Sequence, residues 1–253
     1  MPALPHAKAA TLNVAGGILL TTSCARETAL TMLPKSHEET ADSAALREQL
    51  QHGYWIGGGS GAGKSTIARR IAAQYGLRVY ATDEVMADHA RRSTRENFPL
   101  LHRFMAMDMD ERWVNRSPKN LLETFPWFQG EGFNMIVEDL RCLPPEPSII
   151  VEGFRLLPRL VKPLLSVAAH AVWLLPTPTF RQAVFEGRGG SAWGFLARTT
   201  DPERALSNLL ERDRMFTDIL REETARLEVP AIEVHSTMSE NDVAKRVTQV
   251  FGL

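Results

Sequence analysis

Residues 54–66 read Tyr54-Trp55-Ile56-Gly57-Gly58-Gly59-Ser60-Gly61-Ala62-Gly63-Lys64-Ser65-Thr66. The apolar start predicts a buried strand, and the run from Lys64 to Gln74 predicts a helix with one apolar face. Between them, Gly58 to Ser65 fits the pattern GxxxxGKS. Glycines let successive backbone N–H groups turn toward phosphate oxygens, and the helix start adds the positive end of its dipole. This stretch therefore predicts a site for the phosphates of a nucleoside triphosphate.

Each residue of the loop has a predicted role. Lys64 is expected to reach the β- and γ-phosphates and to act in catalysis, while Ser65 offers its hydroxyl to Mg²⁺. The nucleotide-binding set is Gly58, Gly59, Ser60, Gly61, Ala62, Gly63, Lys64, Ser65 and Thr66. The alternative is a glycine-rich turn without a ligand, and the coincidence of loop, lysine and serine with the right flanks disfavours it.

A second apolar run supplies an acidic partner. Ser148 to Val151 is short and continuously apolar, which is typical of a strand buried on both faces. Glu152 follows it directly and is predicted to hold Mg²⁺, either directly or through water. The alternative role for Glu152 is to cap the next segment.

Predicted strands and helices alternate along the chain, which favours an α/β protein with a parallel sheet covered on both faces. We count five strands. Residues 1–45 are rich in Ala, Thr and Ser without a sustained period, and are expected to form a disordered extension. Residues 46–253 are expected to form the folded domain.

Composition narrows the possible partners. The chain has 253 residues, 44% of them hydrophobic, and a formal net charge of −1. A near-neutral balance gives no reason to expect nucleic acid or an anionic membrane as partner. Cys24 and Cys142 have no metal-ligand spacing, and no apolar run is long enough to span a bilayer. A cytoplasmic location is expected, and the oligomeric state stays open.

Three segments carry a family resemblance: Gly58–Thr66, Ile149–Glu152 and the following Gly153-Phe154-Arg155. They resemble the small P-loop kinases, which include adenylate-type, shikimate, gluconate and antibiotic kinases, although the proline of the family's acid-Gly-Phe-Pro-Arg segment is missing here. The resemblance implies a three-layer P-loop NTPase fold with strand order 2-3-1-4-5 and ATP with Mg²⁺ as donor. It also implies a helical acceptor-binding insert at about 83–143 and an arginine-rich lid at about 187–201.

The predicted lid is rich in arginine around Gly187-Arg188-Gly189-Gly190. Planar guanidinium groups neutralise the charge of a transferring phosphoryl group. Arg188 and Arg198 are the catalytic candidates, and Arg188 is also expected to contact the nucleotide. Arg212 and Arg214 lie on a following helix where similar kinases carry returning arginines. The alternative is that these arginines form ion pairs on a solvated helix.

Fewer residues in the sequence indicate where the acceptor binds. By resemblance, Asp83 takes or aligns the acceptor's hydroxyl proton and binds the acceptor; the alternative is an N-cap for the next helix. Arg141 and Arg155 are further substrate-binding candidates, and His235 is expected beside the nucleotide base. Acids at Glu84, Asp88, Glu131, Glu138 and Asp139 favour a hydroxylated or amine-bearing acceptor over a phosphorylated one. The alternative, a phosphorylated acceptor, is supported by the arginines of the same insert, which are Arg91, Arg92, Arg95, Arg103 and Arg141. Most aromatic residues of the insert are expected in the core, with one or two lining a pocket.

The leading functional hypothesis is an ATP-dependent kinase that phosphorylates a hydroxyl of a metabolite, nucleoside or antibiotic. A nucleotide monophosphate kinase is the nearest alternative. Two alternatives belong to other functional classes: an NTP-hydrolysing switch and a regulatory module that binds a nucleotide without turnover. The sequence has neither the Asn-Lys-x-Asp segment of GTPases nor the Leu-Ser-Gly-Gly-Gln signature of ABC ATPases.

Overall fold

A computed structural model describes residues 41–253. The extension predicted for residues 1–45 therefore lies outside the described residues except for its last five. These five belong to helix α1 (Ala41–Leu50), which leads into the first strand.

Five strands form one parallel sheet: β1 (Gly53–Gly58), β2 (Arg78–Ala81), β3 (Ile149–Glu152), β4 (Ala171–Pro176) and β5 (Ala231–Val234). Their order is β2-β3-β1-β4-β5, which confirms the predicted 2-3-1-4-5 arrangement. Ile56 on β1 lies opposite Glu152 on β3, and Ala81 on β2 lies on the other side of Glu152. The loops after β1, β2 and β3 consequently meet at one edge of the sheet.

Two apolar cores cover the two faces of the sheet. On one face, Ile67 and Ile71 of α2 (Lys64–Tyr75) pack with Ile56, and α12 (Glu240–Phe251) joins them through Val247. On the other face, Trp55 packs in the same core as Phe216 of α11 (Pro202–Arg226). Alternate residues of β1 thus face opposite layers, which produces the predicted three-layer α/β fold.

Six short helices connect β2 to β3. They are α3 (Met86–Arg92), α4 (Pro99–Ala106), α5 (Met109–Trp113), α6 (Pro118–Thr124), α7 (Pro126–Gln129) and α8 (Phe133–Arg141). After β3 come α9 (Pro158–Val161) and, after β4, α10 (Pro178–Gly187). Short 3-10 turns at Gly190–Ala192 and Leu196–Arg198 connect α10 to α11.

Local sequence explains where several helices begin. The side chains of Ser117, Asp201 and Ser239 accept hydrogen bonds from backbone amides of the first helical turn. Serine and aspartate are favoured at this position, and Pro118 and Pro202 stand at the first helical positions, where a missing N–H is tolerated. In the part of the chain that the structure describes, no helix has the length and apolar content needed to cross a bilayer.

Gly58 allows β1 and β4 to approach closely before the chain turns into the loop. Its φ is +127°, and a Cβ atom there would overlap the backbone of Leu174. We expect Gly58→Ala to lower the free energy of unfolding by about 2–4 kcal/mol. Gly187→Ala is the matched control, since no atom lies within 4 Å of a Cβ there. Chemical denaturation of both variants checks this; equal stability would contradict it.

Asp139 joins α8 to α3 and β2. It accepts hydrogen bonds from the Tyr80 hydroxyl at 2.6 Å, His89 Nε2 at 2.8 Å and Arg92 Nη2 at 3.0 Å. Burial alone would raise the pKa of Asp139, but these bonds outweigh it and lower the pKa to about 2. A carboxylate with a lowered pKa stabilises the fold above its unfolded pKa, and this contribution is lost as the pH falls through the folded pKa.

Asp139→Asn is therefore expected to lower the free energy of unfolding by about 1–2 kcal/mol near neutral pH. The difference from the wild type should shrink as the pH falls from about 4 toward 2, because the wild-type carboxylate is then protonated. Urea denaturation at several pH values measures it. Asp88→Asn, at an exposed ion pair of α3, is the control. A difference for Asp139→Asn that did not vary with pH would contradict the prediction.

Candidate active site

The loop between β1 and α2 is shaped to surround an anion. Gly61 and Gly63 have φ values of +79° and +80°, a backbone conformation that favours glycine. The first amides of α2, at Lys64, Ser65 and Thr66, have no carbonyl of a preceding helical turn to bond. Residues Ser60, Gly61, Gly63, Lys64, Ser65 and Thr66 line a cavity of about 430 Å³. Gly58, Gly59 and Ala62 lie beneath this lining, where Gly59 N donates to Leu174 O.

Lys64 is buried at this end of the cavity. Its ammonium donates to the Gly59 carbonyl at 2.8 Å, and 7% of the residue is exposed. Burial lowers the pKa of Lys64, while the nearby carboxylates of Asp83, Glu152 and Asp213 oppose this shift. Three acids around one buried ammonium form a charged centre beside the loop.

Glu152 lies at the end of β3 with 2% of its surface exposed. Burial raises the pKa of Glu152, and a hydrogen bond from Ser65 and the charge of Lys64 oppose the shift. Its Oε2 atom is buried without a hydrogen-bond partner. It does not cap α9, which begins after Leu157 without a side-chain cap. An unpartnered carboxylate oxygen beside a serine hydroxyl fits Mg²⁺, which prefers oxygen ligands and shares them with phosphates.

Asp83 stands in the turn after β2 and lines the cavity. Helix α3 begins only at Met86, its N-cap is Val85, and no side chain caps it. The alternative role of Asp83 as a helix cap is therefore wrong. Desolvation raises the pKa of Asp83, and the charges of Lys64 and Arg155 oppose this.

Away from the loop, the cavity wall is aromatic. Its rings belong to Phe104, Trp113, Phe125, Trp127, Phe128, Phe154, Phe185, Trp193 and Phe195. Four rings of the insert, Trp113, Phe125, Trp127 and Phe128, lie in the buried core, as expected. All four also line the cavity, which is more than the one or two expected, because a pattern of apolar residues does not show which core rings border a cavity.

The predicted lid arginines lie in different surroundings. Arg188, at the end of α10, lines the cavity, and its guanidinium lies 5.6 Å from the Phe185 ring and 5.4 Å from the Trp193 ring. Arg198 is exposed and does not line the cavity, because its 3-10 turn buries Leu196 instead. The structure thus brings Arg188, but not Arg198, to the loop.

Arg212 and Asp213 of α11 were not predicted as site residues from the sequence, although they line the cavity and are 4% and 1% exposed. Arg212 Nε and Nη2 donate to Asp213 Oδ1 at 2.9 and 2.6 Å. The remaining atoms, Arg212 Nη1 and Asp213 Oδ2, are buried without a partner. Arg214, by contrast, is exposed and pairs with Glu211 and Asp218. The helical spacing of Leu209, Phe216 and Leu220 in the sequence could have shown that this face of α11, which includes Arg212 and Asp213, is buried.

Arg155 is buried beneath the cavity, 1% exposed, rather than lining it. It donates to Thr82 O at 3.2 Å and Gly132 O at 3.0 Å, and it lies 4.3 Å from the Trp127 ring. Burial lowers the pKa of Arg155 to about 10. The prediction that Arg155 binds the substrate is therefore wrong. Arg155 instead supports the cavity wall by positioning Trp127.

Two more candidates lie elsewhere. Arg141 is exposed, and its Nε donates to Gln49 Oε1 of α1 at 3.0 Å, so its substrate-binding role is also corrected. His235 follows β5, and its Nδ1 lies 2.8 Å from the Thr237 hydroxyl. It does not line the cavity, and its place beside the base stays a prediction.

The acids of the insert do not make the pocket acidic, contrary to expectation. Glu131 accepts from the amides of Leu100 and Leu101 at 2.8 Å each, and Asp139 is held by its three donors. Glu84 pairs with Arg69 at the surface. The charges of these acids stabilise helices and surface ion pairs. The cavity wall is therefore aromatic and not acidic as expected.

Two comparisons with known proteins found similarity to kinases. The shikimate kinase family model matches residues 60–102, from the loop through β2 and Asp83. A 2-phosphoglycerate kinase of Methanocaldococcus jannaschii is 24% identical over 186 residues, which cover 70% of this chain and 57% of that protein. The chain thus spans a little over half the length of that relative. In its fold and its phosphate loop, the chain is similar to the small P-loop kinases to which both matches belong.

Proposed function

We propose that this protein transfers the γ-phosphoryl group of ATP to a hydroxyl group of a small molecule. The observation that carries the proposal is the arrangement around Lys64. Glu152, which is hydrogen-bonded to Ser65, lies near the Lys64 ammonium, and these two residues are the proposed Mg²⁺ ligands. Asp83 lines the same cavity. A regulatory module that only binds nucleotide has no need of an acid facing an acceptor cavity.

Each group has one task in this reaction. The loop amides and Lys64 hold the phosphates, Arg188 faces the transferring group, and Ser65 with Glu152 would hold Mg²⁺, which supplies charge neutralisation when bound. The acceptor oxygen bonds to the γ-phosphorus as the bond from that phosphorus to the bridging oxygen breaks, releasing ADP. The hydroxyl proton passes to Asp83, whose raised pKa favours accepting it.

A nucleotide monophosphate kinase is less well supported. Such an enzyme has to neutralise an acceptor phosphate, for which clustered arginines are suited. In the described part of the insert, Arg92 and Arg91 pair with acids of α3 and α8, and no insert arginine lines the cavity.

A coupled assay of ADP release tests the proposal. Purified protein with Mg·ATP should release ADP faster when the right hydroxyl compound is added, and label from γ-³²P-ATP should appear in that compound. ADP release that never depends on an acceptor, with all label in inorganic phosphate, would identify a hydrolase instead.

A further inference from the structure

The acceptor half of the cavity is built from interlocked rings. Phe104 of α4 lies edge-on to Trp113 of α5 at 5.6 Å and to Phe125 at 5.5 Å. Phe128 of α7 meets Phe125 at 4.7 Å and Phe154 at 5.9 Å. Edge-to-face contacts at these distances are favourable and fix each ring against its neighbours. These contacts therefore hold the rings in fixed positions beside the cavity.

The aromatic rings present apolar surface to the open cavity, and covering such surface with a ligand is favourable because it removes the surface from water. Here the space adjoins the phosphate loop and Asp83, where an acceptor must lie. A ligand with a flat apolar surface would cover these rings and exclude water from them. This favours a ring-bearing acceptor over a small polyol.

Two unpartnered polar atoms interrupt the apolar wall. Arg212 Nη1 is a donor and Asp213 Oδ2 an acceptor, and both belong to a pair whose charges cancel. Buried polar atoms without partners are costly, so a ligand that bonds both is favoured. A hydroxyl or amide group can accept from Arg212 and donate to Asp213.

The charges around this half disfavour an ionic acceptor. In the proposed reaction the phosphates of ATP engage Lys64 and Arg188, which leaves Asp83 and the neutral pair of Arg212 and Asp213 to face the acceptor. An anion would thus meet a carboxylate and apolar rings. A cation would lie beside the Arg212 guanidinium, which is 4.6 Å from the Phe125 ring and 5.0 Å from the Phe128 ring, and the like charges would repel.

Given the proposed phosphotransferase function, we infer that the acceptor is an uncharged alcohol that carries a flat ring. The ring lies against Phe104 and its aromatic neighbours, and a polar substituent bonds Arg212 and Asp213. The phosphorylated hydroxyl points to Asp83.

Binding of an uncharged ring probe tests this without knowledge of the natural acceptor. N-phenyl-1-naphthylamine should bind at one site per chain and gain fluorescence. Shikimate and 2-phosphoglycerate, both anions, should fail to displace it, and Mg·ADP should bind alongside it. Absence of binding, or displacement by either anion or by Mg·ADP, would overturn the inference.

Two matched variants locate the probe. Phe104 and Phe133 are both partly buried in the insert, but only Phe104 lines the cavity. Phe104→Leu should weaken probe binding roughly tenfold, and Phe133→Leu less than about twofold. Equal effects of the two changes would refute the site. Both variants should keep wild-type affinity for Mg·ATP, so failure here is distinct from failure of the nucleotide site.

Turnover gives an independent readout. Thymidine and 2-(4-hydroxyphenyl)ethanol should stimulate ADP release more, at equal concentration, than thymidine monophosphate and 2-phosphoglycerate. A higher kcat/KM for either anion would contradict the inference. If none of the four is phosphorylated, the probe measurements decide.

Discussion

Lys64→Ala is expected to reduce phosphoryl transfer at least about a thousandfold while leaving the fold intact. The Lys64 ammonium is the cation closest to the loop carbonyl of Gly59, and three acids surround it. Without it, the γ-phosphate meets Asp83, Glu152 and Asp213 with no buried ammonium to offset their charge. The ADP-release assay measures the loss, and far-UV circular dichroism checks the fold.

Lys162→Ala is the matched control. Lys162 Nζ also donates to a backbone carbonyl, that of Leu227 at 2.7 Å, but it does not line the cavity. Activity should therefore survive this change. Wild-type turnover in Lys64→Ala would refute the role assigned to this lysine.

Asp83→Asn is expected to lower kcat about a hundredfold or more, with the affinity for Mg·ATP changed less than about threefold. An amide cannot take the hydroxyl proton, although it keeps the size and hydrogen-bonding reach of the carboxylate. Because Asp83 does not cap α3, thermal stability should be close to that of the wild type. Single-turnover transfer and calorimetry with Mg·ATP separate the two effects.

Asp88→Asn makes the same chemical change five residues further along the chain. Asp88 pairs with Arg91 and Arg92 on the surface of α3 and does not line the cavity. Its variant should retain activity. A variant of Asp83 that loses stability but keeps its rate would show that the carboxylate supports the turn rather than the chemistry.

The loop at residues 58–66 and its place between a strand and a helix were predictable because their signals are local. Gly58 to Thr66 fix their own backbone conformation, and the apolar run before Glu152 identifies a central strand. The parallel sheet followed from alternating patterns, and its strand order followed from the family resemblance. Both were confirmed.

The acceptor end depends on contacts between distant segments, which no local pattern reveals. Arg141 meets Gln49, 92 residues earlier in the chain, and Glu131 bonds amides of α4. Arg212 resembles a solvated helix residue until α11 packs against the aromatic insert. Acidic residues that were predicted to line the pocket therefore stabilise the scaffold, and rings that were correctly predicted in the core also line the cavity.

Isothermal titration calorimetry of the wild-type protein with Mg·ATP tests most directly that residues 58–66 bind a nucleotide's phosphates. We expect one site per chain with a dissociation constant roughly between 1 µM and 1 mM, and at least tenfold weaker binding by Lys64→Ala. Folded wild-type protein that gives no heat of binding with Mg·ATP or Mg·GTP would contradict it.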